Sequence, residues 1–124
     1  MILCVFVIAA SPARADMHEV SVASFAFTPP ALTISEGDTV RWTWVDGIHT
    51  TTSGDPGTCT PDGMWSAPLD AGNPSFEVQF DSAGLFTYFC MPHCSLGMTG
   101  EVLVEPAVPV EPTTWGTLKA IYAD

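Results

Sequence analysis

Apolar residues in this chain alternate with small or polar ones at period two, in runs that proline and glycine cut short. Val20 and Val22, then Phe25 and Phe27, open the pattern; Pro29 and Pro30 break it, and Leu32 and Ile34 resume it. After the turn signal Glu36-Gly37-Asp38, Val40, Trp42 and Trp44 share one face of TVRWTWV (39–45). Phe76, Val78 and Phe80 alternate in SFEVQF (75–80), Asp81-Ser82-Ala83-Gly84 turns, and LFTYFC (85–90) and EVLVE (101–105) complete the series. Successive side chains of a strand point to opposite faces, so each run can bury one face and wet the other. Eleven prolines and ten glycines work against long helices. The pattern predicts an all-β fold, an antiparallel sandwich or barrel of six to eight short strands. Residues 46–75, rich in Gly, Pro, Ser, Thr and Asp, fit no run and are expected to form a long loop, which in a compact domain calls for a function or a staple.

Charge narrows the function. Fourteen Asp and Glu stand against three Lys and Arg, a net charge of −11. Such a chain repels phosphate backbones, so no nucleic-acid partner is expected. No apolar run reaches the roughly 18 residues of a transmembrane span. Residues 2–10, ILCVFVIAA, have instead the length and character of a signal-peptide core, and Ala13-Arg14-Ala15 supplies the small-x-small pattern of a cleavage site. Cleavage after Ala15 would make Asp16 the first mature residue and place the protein outside the cytoplasm, in a periplasmic or extracellular compartment. The expected organisation is a signal peptide at 1–15, one domain at 16–105, and at 106–124 a proline-rich spacer with a frayed tail.

The chemistry concentrates in YFCMPHCSLGMTG (88–100), where Cys90, His93 and Met98 follow the spacing C-x2-H-x4-M directly after an apolar strand. His49 stands upstream, just past the tryptophan-bearing run. Two imidazoles and a thiolate with a weak axial thioether form the type-1, or blue, copper arrangement. The mixture suits both oxidation states: soft sulfur favours Cu(I), nitrogen favours Cu(II), and a rigid β scaffold keeps the rearrangement between them small. Met91 and Met64 fit the axial position less well by spacing. His18 has no partner motif and is expected to be a surface residue.

On FTPPALTISEGDTVRWTWVDGIHT (27–50) and GLFTYFCMPHCSLGMTGEVLVE (84–105) the chain resembles the cupredoxins, in particular the plastocyanin and pseudoazurin group. The resemblance implies an eight-stranded Greek-key β-sandwich with one mononuclear copper ion, His49, Cys90 and His93 in the copper plane and Met98 axial. It also implies that the His93 edge passes the electron through an apolar patch that Met91, Pro92, Leu96 and Gly97 help to form.

Four cysteines remain to be placed. Cys4 leaves with the signal peptide and Cys90 goes to copper; in an exported protein Cys59 and Cys94 are then expected to pair, a bridge that plastocyanin itself lacks. Cys90 and Cys94 also have the C-x3-C spacing of dinuclear copper sites, but the further His and Met such a site needs are here Met98 and Glu101. The expected function is a soluble electron carrier, not an enzyme, since four protein ligands leave no position for substrate and no G-x-S-x-G or H-E-x-x-H occurs. It is expected to be a monomer that meets redox proteins with a basic docking surface. The competing function is an extracytoplasmic copper-binding or delivery module.

Overall fold

The computed structural model describes residues 15–107. Of the expected leader at 1–15 all but Ala15, and of the expected spacer and tail at 106–124 all but Pro106 and Ala107, lie outside the described residues. Among the described residues nine strands form two sheets. The first sheet has the order β2-β1-β4-β7, with β1 at Met17–Ala23, β2 at Ala26–Thr28, β4 at Thr39–Trp44 and β7 at Ser75–Gln79. The second has the order β3-β9-β8-β5-β6, with β3 at Ala31–Ser35, β5 at His49–Asp55, β6 at Thr60–Leu69, β8 at Gly84–Phe89 and β9 at Thr99–Glu105. A short 3-10 turn, Cys94–Leu96, lies between β8 and β9.

The inward residues of the alternating runs meet between the sheets. Val20, Val22, Val40 and Trp42 from one sheet, and Leu69, Tyr88, Val102 and Val104 from the other, are essentially inaccessible to water. Aromatic rings fill the centre: Trp42 lies edge-on to Tyr88 at 5.2 Å, and Trp65 meets Trp42 at 5.6 Å and Phe80 at 5.5 Å. Edge and tilted ring pairs of this kind add to what area burial alone supplies. The all-β sandwich expected from the sequence is the fold observed.

Three details differ from the expectation. Residues 46–75 hold two strands, β5 and β6, rather than one long loop. Strand β5 buries Thr51, Thr52 and Ser53, which apolar periodicity cannot detect. Their hydroxyls are satisfied across the sheet: the Trp65 indole Nε1 donates to Thr51 Oγ1 at 3.0 Å, and the Ser53 hydroxyl shares a bond with the Asp62 carboxylate. Strand β6 does alternate through Trp65, Ala67 and Leu69, but Pro68 interrupts the signal; β6 is an edge strand, where a missing N–H is tolerated. A bulge between Thr52 and Gly54 joins the pair, and only glycine fits there, since a Cβ on Gly54 would lie 2.0 Å from the Thr60 carbonyl oxygen.

Second, the sheets are not wholly antiparallel, because β1 runs parallel to β4 and β3 parallel to β9. Alternation reports which face is buried, not which way a neighbour runs. Third, Phe25 leaves the core pattern. Ser24 and Phe25 turn the β1–β2 hairpin with φ of 42° and 62°, and Phe25 points outward, 56% exposed.

His18 also departs from its expected role. It is half-buried, and its Nε2 lies 3.0 Å from Oδ2 of Asp38, which is buried in the turn between β3 and β4.

Candidate metal centre

Strand pairing brings the two chemically active segments together. The central strands β5 and β8 are antiparallel, with Thr52 opposite Phe89 and Ser53 opposite Tyr88. Continued toward one end of the sheet, that register sets the start of β5, which is His49, against the loop that follows β8. Cys90 is the first residue of that loop. The Met91 N–H donates to Thr50 Oγ1 at 2.9 Å, so the neighbours of His49 and Cys90 are tied directly to each other.

The loop itself is a closed hydrogen-bonded ring. Cys90 N–H donates to the Met98 carbonyl at 3.0 Å, and Met98 N–H returns to the His93 carbonyl at 3.3 Å. His93 N–H donates to the Cys90 carbonyl at 3.2 Å, and the 3-10 turn is capped by Gly97 at φ 85°, where a left-handed residue is needed. A disulfide joins Cys94 to Cys59 on the β5–β6 connection. The cysteine pairing expected from the sequence is therefore present, and it fastens the loop to the second sheet's outer hairpin.

The side chains converge. His49 Nδ1 lies 3.2 Å from His93 Nδ1, and Cys90 Sγ lies 3.4 Å from His93 Nδ1 and 3.8 Å from His49 Nδ1. The three donor atoms all fall within 4.8 Å of one another. His49 and Cys90 are buried, and His93 is half-buried. Burial draws the His49 imidazole below the usual histidine range, even though Asp46 works the other way; the neutral ring is the form that can bind a metal. Burial pushes the Cys90 thiol up, against hydrogen bonds from Thr50 and His93, and a bound cation would act in the opposite sense by favouring the thiolate. Two imidazole nitrogens and a sulfur aimed at one point satisfy each other poorly as hydrogen-bond partners. The same set fits a single soft-to-borderline metal ion well.

Met98 is fully buried in the core cluster, and its backbone bonds to both Cys90 and His93. Cys94, in its disulfide, is not a thiolate donor, which removes the C-x3-C alternative.

One neighbour of the site was not foreseen in the sequence. Phe25 stands edge-on to the His93 ring at 4.7 Å, and a surface hollow lined by Ser24, Phe25, Asp46, Ile48 and both histidines opens beside it. Nothing in the local sequence marks Ser24-Phe25 as a turn, because neither residue is among those that favour a positive φ.

Residues 15–105 match the profile of the copper binding proteins of the plastocyanin/azurin family. The chain belongs to that family. It is similar to halocyanin of Natronomonas pharaonis, 36% identical over 86 residues that cover 65% of this chain and 49% of that one. It is likewise similar to the chloroplastic plastocyanin of Tetradesmus obliquus, at 34% identity over 66% of this chain and 60% of the relative. The chain thus spans about half to three-fifths of these two relatives. Among solved structures, the oxidised plastocyanin of Dryopteris crassirhizoma superposes with a TM-score of 0.59 at 29% identity, covering 70% of this chain and 99% of that one. Amicyanin from Paracoccus versutus gives 0.60 at 28% identity, over 78% and 89%. As a cupredoxin, the protein has copper as its cofactor, and His49, Cys90 and His93 are the group positioned to hold one ion.

Proposed function

We propose that this cupredoxin is a blue-copper electron carrier, with His49, Cys90, His93 and Met98 as the residues that would hold the ion. When bound, copper supplies a one-electron couple between Cu(II) and Cu(I). The chain's own part is to hold geometry. The Thr50–Met91 bond, the ring of loop hydrogen bonds and the Cys59–Cys94 disulfide all restrain the donor atoms, so that either oxidation state meets nearly the same cage. The core around Cys90 and Met98 excludes water from the sulfur side. His93 is the donor nearest the surface, among the exposed apolar residues Phe25, Ile48, Met91 and Leu96.

The observation that carries this reading is the convergence of one thiol and two imidazoles within 4.8 Å, from segments about forty residues apart in sequence. The further parts of the proposal are export through the leader at 1–15, a domain at 16–105, action as a monomer, and transfer to and from proteins with basic docking surfaces rather than catalysis on a substrate.

The test is absorption and EPR of the copper-loaded protein through repeated reduction and oxidation. An intense thiolate-to-copper band, the EPR signal of a single copper nucleus, and metal retained over the cycles are expected. Loss of copper on each reduction would favour delivery over electron transfer. Replacing Cys90 with Ser should abolish the colour while far-UV circular dichroism stays that of a β fold; persistent colour would overturn the ligand assignment.

A further inference from the structure

Among the described residues, the buried carboxylate of Asp38 has no permanently charged cation beside it. Its side chain is 5% exposed, and three groups surround it. Ser35 N–H donates to Oδ2 at 3.0 Å, His18 Nε2 lies 3.0 Å from the same oxygen, and Asp16 N–H donates to Oδ1 at 2.9 Å. Two of these are neutral amides, and an imidazole carries charge only when protonated. Among the described residues the one Lys or Arg is Arg41, which is engaged by Glu19 at 3.0 Å and Glu77 at 2.8 Å. Buried charges are ordinarily paired with opposite ones.

Asp16 is also the residue that the Ala13-Arg14-Ala15 pattern makes the first of the processed chain. Its nitrogen is the atom that changes from amide to amine on cleavage. We propose that Asp38 is a built seat for the α-ammonium group of Asp16, formed when the Ala15–Asp16 peptide bond is cut. This rests on the export reading and is independent of copper. A leader endopeptidase that accepts small residues at Ala13 and Ala15 hydrolyses the bond. Water gives its hydroxyl to the Ala15 carbonyl carbon and a hydrogen to the Asp16 nitrogen, which takes a further proton from solvent.

The nitrogen need not move after the cut. Thr39 N–H donates to the Asp16 carbonyl at 2.9 Å, and the ladder continues from Met17 opposite Thr39, so the sheet holds Asp16 from its other end. Ala15 and Asp16 are both exposed, which leaves the bond at the surface. Before cleavage one neutral N–H reaches Asp38; afterwards a full positive charge with several donors does, and such charge-assisted bonds are about twice as strong as neutral ones. The other ionisable groups at the seat are His18, the exposed Asp16 carboxylate, and Glu36 of the same turn, whose Oε1 accepts from Ala107 N–H.

The processed chain starting at Asp16 has two amines, the α-amine and Lys119, so acylation followed by peptide mass spectrometry can read one against the other. The full chain is expressed with its leader, recovered from the extracytoplasmic fraction, and sequenced from its N-terminus. It should begin at Asp16. At neutral pH an exposed α-amine, with a midpoint near about 7.7–8.0, acylates ahead of a lysine. Seated on Asp38, it should react at least tenfold more slowly than the α-amine of a chain that starts at Ala15, with Lys119 unchanged. Asp38→Asn should restore the fast rate; should that variant not fold, the Ala15-start comparison alone decides. A first residue other than Asp16 overturns the proposal through its export premise. A start at Asp16 with an α-amine as reactive as that of the Ala15-start chain overturns the seat itself.

Discussion

Single residues in this fold are held by contacts that leave little slack. Gly100 lies against the Tyr88 ring so closely that a Cβ would sit 2.3 Å from Cζ and 2.4 Å from the hydroxyl oxygen. Tyr88 is fully buried and packed against Phe27 and Trp42, so it cannot swing away. Gly100→Ala should therefore destabilise by about 1–3 kcal/mol, the usual range for forcing extra volume into a packed core, as measured by denaturant unfolding. Asp38 sets an acid limit. Burial raises its carboxyl, but the bonds from Ser35, Asp16 and His18 together outweigh that and hold it below the ordinary value of 3.8. The folded protein thus binds this proton later than the unfolded chain does. Stability from Asp38 is present above about pH 4 and is lost as pH falls through the folded-state value. Urea unfolding at a series of acid pH values should show a shallower decline for Asp38→Asn than for the native chain. Both contacts were hidden in the sequence, since nothing at Gly100 or His18 announces what will lie across from it.

At the scale of elements, legibility divides along chemistry. The strands that bury apolar side chains, such as Val40 and Trp42 on β4 or Val102 and Val104 on β9, declared themselves by period. Strand β5 did not, because its buried face is made of hydroxyls that become compatible with burial only after the partner strand supplies their hydrogen bonds, and in β6 Pro68 interrupts the alternation of Trp65, Ala67 and Leu69. The candidate site was legible for a different reason. Cys90, His93 and Met98 lie in one short loop, so their spacing survives in the linear chain. His49 was identified by its residue type and its place after an aromatic strand, and the β5–β8 register then accounts for its position. The disulfide links these two kinds of element and closes a separation of 35 residues. Replacing both Cys59 and Cys94 with Ser should lower stability by roughly 2–4 kcal/mol in a denaturant titration. Copper loading of that variant should still give coloured protein, because neither cysteine is among the proposed ligands.

Over the whole molecule, negative charge dominates. With a net charge of −11, the protein should reduce or oxidise a small cationic metal complex at a rate that falls as salt rises. With an anionic complex of similar potential the rate should climb with salt, since screening removes attraction in one case and repulsion in the other. Stopped-flow measurement over a range of ionic strength would show both slopes, and equal slopes would refute a charge-steered encounter. Arg41 sharpens the point. It sits on β4 between Glu19 on β1 and Glu77 on β7, so the one Lys or Arg among the described residues is already neutralised by its own sheet. Were the proposed partner rich in lysine, net charge would draw it in without by itself fixing how it turns. Orientation would then fall to short range, where the phenyl ring at the hairpin tip and its greasy neighbours offer apolar ground for a snug fit beside His93.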